Sequence, residues 1–235
     1  MTIHDIQDQA QVEYYWKLHD LGTHFPQILF PHLTVFHLEQ GDILCTQGDD
    51  IEHLDILVHG KIKIYTTSQE GKTLILCFKT PLEFIGDVEY INGNDKVINT
   101  VEAVSSVHFL RIHRKWLVQY GSDHVPLLQF LLQMMTRKFY SSSNYSRFNL
   151  MYPVEIRLAS YMLSVACDED PADCYEELRI SSLVDVANLI GTSYRHLNRV
   201  IQKLGSDGLV KRTSEYLVIQ NRAGLEALAG HNIYE

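Results

Sequence analysis

Between Leu33 and Ile112 the chain carries a succession of short strand-like runs cut by glycine, and few folds accept that pattern. Residues 34–38, 54–58, 61–65, 73–78 and 107–112 are rich in β-branched and aromatic side chains, which suit a pleated, half-buried surface. Gly41, Gly48, Gly60, Gly71 and Gly86 mark the turns between them. Many short strands at regular turn spacing predict an antiparallel sandwich or jelly roll. Upstream, residues 1–24 read as a weakly patterned helical segment on Ile3, Ile6, Ala10, Tyr14, Leu18 and Leu21.

Beyond the strand-rich region, Ser122, Asp123 and Pro126 supply a helix start. The helix is expected to run through residues 127–148, with Leu128, Leu131, Leu132, Met135 and Phe139 as a wide apolar stripe. One edge of that stripe is expected to pack on the roll and the other to zip against a second subunit. Ser142, Ser143, Tyr145 and Ser146 continue it with small or adaptable residues. A break near 149–153 predicts a hinge. The next helix, 154–166, has Ile156, Leu158, Ala159, Met162 and Leu163 as its core face.

The run LVDVANLIGTSYRHLNR, from Leu183 to Arg199, carries the functional signal. It reads as two short helices joined at Gly191, where a positive φ is cheap for glycine. Ser182 and Asp185 form an imperfect capping box, and Leu183, Val186, Ala187 and Ile190 form the buried face of the first helix. Ser193 is placed to cap the second, whose Leu197, Val200, Ile201 and Leu204 face inward. Tyr194, Arg195, Asn198, Arg199 and Gln202 face outward, with Lys203 beside them. Arginine pairs with guanine, Asn and Gln pair with adenine, and Tyr or Lys hold phosphates, so this face predicts a DNA-reading helix. Residues 208–212 and 216–219 then read as a hairpin closed by 213–215, a wing that sets Lys211 and Arg212 against the DNA backbone.

The formal net charge of −9 seems wrong for such a protein, but the charge is unevenly placed. From Asp185 to Arg222 six bases face three acids, a local balance of +3, whereas 168–177 holds six acids and no base. Local charge sets the footprint on DNA. The four cysteines, Cys45, Cys77, Cys167 and Cys174, form no CxxC pair and no iron–sulfur spacing. With no signal peptide or transmembrane run, a reducing cytoplasm is the expected compartment. The twelve histidines show no HxH or HExxH arrangement, so no metal site is predicted.

The order of parts resembles the CRP/FNR family of bacterial transcription regulators over roughly residues 25–220. The carrying motifs are Gln40-Gly41-Asp42, Gln47-Gly48-Asp49, residues 58–62, Glu70-Gly71-Lys72, residues 84–87 and the recognition helix. Residues 193–197 look most like the YeiL-type branch. The resemblance implies an α+β protein: an N-terminal antiparallel β-roll of the cyclic-nucleotide-binding jelly-roll type, a long dimerisation helix and a C-terminal winged helix-turn-helix. The expected division is 1–24 helical segment, 25–120 sensor roll, 121–150 dimerisation helix and 151–235 DNA-binding domain. It further implies a homodimer on a two-fold symmetric operator and contact with RNA polymerase, here through the acidic run 168–177.

The effector positions depart from the family pattern. Its Gly-Glu pair is Gly86-Asp87 here, and its phosphate-neutralising Arg-Ser pair falls on Val97-Ile98. Ser142 and Ser143 stand where the family's base-contacting pair sits. A buried phosphate without a cation carries a heavy desolvation cost, so cyclic AMP is not expected as ligand. An iron–sulfur cluster is not expected either, because residues 1–32 hold no cysteine. The effector stays open between another small molecule, a thiol switch and none. In the recognition helix a frequent family glutamate is replaced by Arg195, which prefers guanine, whereas Arg199 matches a family arginine. Two other classes remain: a small-molecule-binding module without a DNA role, and a cupin-type metal enzyme. The sequence shows no paired catalytic carboxylates, nucleophile motif or phosphate loop, and no enzyme activity is expected.

Overall fold

The computed structural model describes residues 8–71, 73–93, 96–165, 177–179 and 183–230. The chain divides into two compact units between Phe139 and Tyr140.

The first unit is built on two antiparallel four-stranded sheets. Strands β1 (Leu33–Leu38), β3 (His53–His59), β6 (Glu83–Ile85) and β8 (Val107–His113) lie in the order β1-β8-β3-β6. Strands β2 (Ile43–Cys45), β4 (Ile62–Thr67), β5 (Thr73–Lys79) and β7 (Thr100–Ala103) lie in the order β2-β7-β4-β5. The predicted jelly roll is therefore present, and all five glycines named for its turns have positive φ. Strands β2, β6 and β7, of three or four residues each, left no pattern that sequence reasoning could use.

The first sheet is buried on both faces. Phe36, Leu38, Leu57, Val107 and Phe109 point towards the second sheet and join Ile62 and Val101 in one core. Val35, Leu54, Ile56, Val58 and Leu110 point the other way and join a core contributed largely by helices. That is why β3 reads as an almost unbroken apolar run rather than an alternation. Inside the sandwich Asp55 receives two hydrogen bonds from its cross-strand partner Arg111, at 2.7 and 2.8 Å, and the guanidinium lies over the Phe36 ring.

The helical side of that core comes from α1 (Gln9–Leu18), α3 (Arg114–Gly121) and the start of α4 (Val125–Met151). In α1 the buried face is Val12, Tyr15 and Trp16, at i, i+3 and i+4. The expectation for residues 1–24 is corrected here: Ala10, Tyr14 and Leu18 are exposed, Leu21 is buried, and Ile3 and Ile6 lie outside the described residues. The aromatic pair Tyr15 and Trp16 offers more area to bury than the face of Ala10, Tyr14 and Leu18, which carries one aromatic ring. Val12, Tyr15, Trp16 and Leu21 share one core with strands of the roll.

In α4, Leu127, Leu131 and Met134 enter the roll core. Of the five residues predicted as a stripe, Leu131 alone is on this packed edge. Leu128, Leu132 and Phe139 stand on the free edge, Leu132 being 67% and Phe139 77% exposed, with Met135 half-buried. The helix ends at Met151, and Tyr152-Pro153 separates it from α5 (Val154–Val165), where the break was expected.

The second unit packs α5 against α7 (Tyr194–Ser206) and α8 (Arg222–Ala229), with α6 (Leu183–Leu189) against α7. Its sheet has the order β10-β11-β9, from β9 (Glu177–Arg179), β10 (Val210–Arg212) and β11 (Tyr216–Ile219). The predicted hairpin is β10 and β11; β9 and α8 had no sequence-level expectation. Leu158, Ala159, Met162 and Leu163 of α5 are buried as expected, whereas Ile156 is half-buried and Arg157 and Ser160 are buried instead.

A histidine ladder crosses the helix-facing side of the first sheet. His37 and His59 flank His108 in the strand register, with ring centroids 6.2 and 5.4 Å from it. The Tyr15 hydroxyl lies 2.6 Å from His108 Nδ1, and His19 stacks on Tyr15. Burial holds the His108 imidazole below its ordinary value, His59 and His37 add to this, and Glu39 opposes it. The unfolded chain therefore binds this proton more readily than the folded one. The stabilisation is full above pH about 6.5 and is lost as pH falls through that value towards the folded-state one. We expect the urea midpoint of the roll to drop between pH 7.5 and 5.5, and the His108→Gln variant to show a flatter dependence.

Candidate nucleic-acid interface and sensor site

The helix-turn-helix is assembled much as its residues dictate. Leu183, Val186, Ala187 and Ile190 are buried, and Gly191 takes φ +64° at the turn. The turn is closed by Ile190 N–H donating to Val186 O and Thr192 N–H donating to Ala187 O, both at 2.9 Å. Arg157 on α5 donates to the Ile190 carbonyl, which ties the turn to the preceding helix. The extended Ser193 caps α7, its Oγ accepting from His196 N–H at 3.2 Å. Ser182 lies outside the described residues.

Helix α7 buries Leu197, Val200, Ile201 and Leu204 and presents Tyr194, Arg195, Arg199, Gln202 and Lys203 as exposed side chains. The wing residues Lys211 and Arg212 are exposed beside it. Several of the predicted contact residues are already engaged. Asn198, half-buried, donates to Tyr194 O at 3.0 Å and accepts from Arg212 Nη1 at 2.5 Å. Lys203 lies 3.5 Å from Glu155 of α5, an exposed pair of small energetic weight. Hydrogen bonds from Asn198 and Arg212 hold the Tyr194 phenol below its ordinary range.

In the roll, Gly86 precedes the short helix α2 (Asp87–Asn92) with φ +91°, and a Cβ there would stand 2.6 Å from His53 O. No other residue fits that backbone approach. Asp87 is buried, and its two oxygens accept from Lys138 Nζ at 2.8 and 2.9 Å. Lys138 also reaches Glu83 at 3.0 Å and the Phe84 carbonyl, and Glu83 in turn meets Lys79 at 3.1 Å. Burial pushes the Glu83 carboxyl up, but Lys138 and Lys79 outweigh it and hold it below its usual value. Burial opposes the charge of Lys138, yet Asp87 and Glu83 keep its ammonium above its ordinary value. Burial raises Asp87, with Lys138 opposing.

Val97 is buried, with its N–H donating to Asp49 O at 2.9 Å and its carbonyl accepting from Gly48 N–H at 2.8 Å. Ile98 is exposed, and its N–H donates to Glu89 at 3.1 Å, which ties the 97–98 segment to α2. Ser142 and Ser143 are exposed on α4 and belong to the second unit. Lys138, Glu83 and Lys79 were absent from the sequence reading. Lys138 lies on the face of Leu127, Leu131 and Met134, so its i+4, i+7 and i+11 spacing from Leu127 was the available signal. Cys45 and Cys77 are free and half-buried; burial pushes their thiols up to about 12 and about 11. Among the described residues no group of three or more His, Cys, Asp or Glu could hold a metal ion, and no helix is long and apolar enough to cross a membrane.

A β-roll and a winged helix-turn-helix joined by one long helix define a DNA-binding transcription regulator with a sensor-type domain. The model for the cyclic nucleotide-binding domain matches residues 35–123, and that for the Crp-like helix-turn-helix domain matches residues 156–228. The regulatory protein YeiL of Escherichia coli O157:H7 is 26% identical over 195 residues, 83% of this chain and 85% of that protein. The cAMP-activated global transcriptional regulator CRP of Salmonella typhimurium is 21% identical over 189 residues, 80% of this chain and 90% of that one. The crystal structure of a CRP/FNR family transcriptional regulator from Eubacterium rectale shares the fold, with TM-score 0.78 at 21% identity, covering 93% of this chain and 100% of that chain. The chain belongs to the CRP/FNR family.

The ion cluster has a measurable weight. Lys138→Met leaves Glu83 and Asp87 as buried carboxylates without their shared cation, which should cost about 3–5 kcal/mol. Urea unfolding should show this loss, and adding Glu83→Gln and Asp87→Asn should restore most of it.

Proposed function

We propose that the protein is a homodimeric, sequence-specific regulator, acting as an activator on a two-fold symmetric operator and independent of cyclic AMP. The observation that carries the DNA role is α7: one face fully buried, the other offering Arg195, Arg199 and Gln202 to solvent. Arg195 and Arg199 suit guanine edges, and Gln202 suits adenine. Lys211 and Arg212 suit the backbone, with Ser193 and Lys203 at the edges of the footprint. The small-molecule-binding module without a DNA role leaves this exposed basic face unexplained.

Dimerisation is supported by the free edge of α4. Leu128, Leu132 and Phe139 recur at i, i+4 and i+11 with Met135 between them, the spacing of a coiled-coil seam. A second copy of the same helix supplies the matching surface. Ser142 and Ser143 follow on that helix and allow close approach. RNA polymerase is the expected partner of the acidic run 168–177, most of which lies outside the described residues.

For the effector, the ion cluster and Val97 argue together. Asp87, at the position of the family's Gly-Glu pair, is already ion-paired through both oxygens to Lys138. Val97 is buried and leaves a cyclic phosphate without the cation it needs. A thiol switch through Cys45 or Cys77 is disfavoured, since the reactive species is the thiolate. An iron–sulfur cluster needs the same thiolates and is likewise disfavoured. We read the regulator as responding to a different small molecule or to none, and as having no catalytic activity of its own.

Binding to a duplex selected from a random pool should weaken steeply with salt. Arg199→Ala should cost about 1–3 kcal/mol on that duplex. Selection with Arg195→Ala should alter the preference at one base pair per half-site; an unchanged selected sequence contradicts the role of Arg195. Phe139→Asp should shift the protein towards monomer in sedimentation. Equal operator affinity before and after exhaustive dialysis argues against a dissociable ligand as a requirement.

A further inference from the structure

We infer that Asn198 is a positioning residue rather than a base reader: it fixes Arg212 of the wing against the first turn of the recognition helix, so that Arg212 delivers a backbone-phosphate contact. The inference rests on the DNA-binding reading above and assigns roles within it.

A side-chain amide recognises adenine with both ends at once, its oxygen accepting and its nitrogen donating. In Asn198 each end already holds a partner. The nitrogen donates to the Tyr194 carbonyl one turn earlier at 3.0 Å, and the oxygen accepts from Arg212 Nη1 at 2.5 Å. The residue is half-buried, whereas Arg195, Arg199 and Gln202 on the same helix are exposed. Turning Asn198 towards a base edge would give up both bonds.

Arg212 has the complementary properties. Its guanidinium carries five N–H donors, of which Asn198 takes one, and it is exposed. Its backbone is held at the end of β10 opposite Leu217. The turn that follows is closed by Thr213, whose Oγ1 accepts from Tyr216 N–H at 2.9 Å and from Glu215 N–H at 3.3 Å. Tyr194 joins the cluster through hydrogen bonds with Asn198 and Arg212 that hold its phenol below the ordinary range. A long, flexible cation on a hairpin thus gains a fixed mount on the reading helix. Pre-ordering of this kind removes part of the side-chain entropy that a phosphate contact otherwise costs.

The test compares wild type, Asn198→Ala, Arg212→Ala and the double variant on the duplex selected by wild type and on a scrambled duplex of equal length, across salt concentrations. Both single variants should weaken binding to both duplexes by a similar factor, about tenfold. Each should reduce the salt slope by about one ion. The double variant should bind as Arg212→Ala does, and selection with Asn198→Ala should return the wild-type sequence. Relaxed preference at one base pair in Asn198→Ala, or losses that multiply in the double variant, would overturn the inference. Arg212→Ala alters an exposed side chain and keeps the comparison usable if Asn198→Ala melts early. Absence of salt-dependent binding by wild type would instead reject the DNA-binding reading itself.

Discussion

An ammonium group inside a roll is expensive unless every donor finds an acceptor. Lys138 meets that condition with Asp87, Glu83 and the Phe84 carbonyl, so the long helix is seated on β6 and α2 by charge as well as by Leu127, Leu131 and Met134. Sliding α4 by one residue would strand Asp87 and leave Glu83 with Lys79 alone. The register of the helix is therefore specified more sharply than an apolar interface alone would manage, because apolar contacts tolerate small shifts. The free edge bearing Leu132 and Phe139 is set by the same register.

The first sheet carries the other structural burden. It separates a sheet-facing core from a helix-facing core, and its strands serve both at once. That arrangement leaves little freedom for the loops at its ends, where Gly86 turns the chain under His53 O and presents Asp87 to Lys138. In the second unit the corresponding economy is at the turn: Gly191, the Ser193 cap and Arg157 together hold α6 and α7 so that one face of α7 is spent on packing and the other is left exposed.

The legible parts of the sequence were those with a period and an end signal. Strands β1, β3, β4, β5 and β8 are six or seven residues long and bounded by turn glycines or polar residues. The helix-turn-helix combined a glycine, a cap and two amphipathic faces. Strands β2, β6 and β7 give no alternation to read, whereas the equally short β10 and β11 were legible because the turn at 213–215 marked them as a hairpin. In α1 the choice of Ala10, Tyr14 and Leu18 over Val12, Tyr15 and Trp16 failed because a weakly amphipathic ten-residue helix offers two plausible faces, and only tertiary packing selects one. Lys138 was missed for a different reason. A charged residue on an apolar face is discounted in a hydrophobicity pattern, although burial with two carboxylates is what makes it informative. Asn198 was recognised as part of the reading helix, but its bonds to Arg212 and Tyr194 O depend on the wing's position and have no sequence signature.

The two half-buried cysteines give the roll an internal clock. Cys45 lies in β2 and Cys77 in β5, both in the second sheet, and both thiols stay protonated at neutral pH. Alkylating reagents attack the thiolate, so in the closed roll they react slowly at either position. Once the sheet opens and the desolvation is relieved, each thiol regains an ordinary reactivity. The labelling rate at Cys45 and Cys77 thus counts excursions of the second sheet, one strand apiece, without any engineered cysteine.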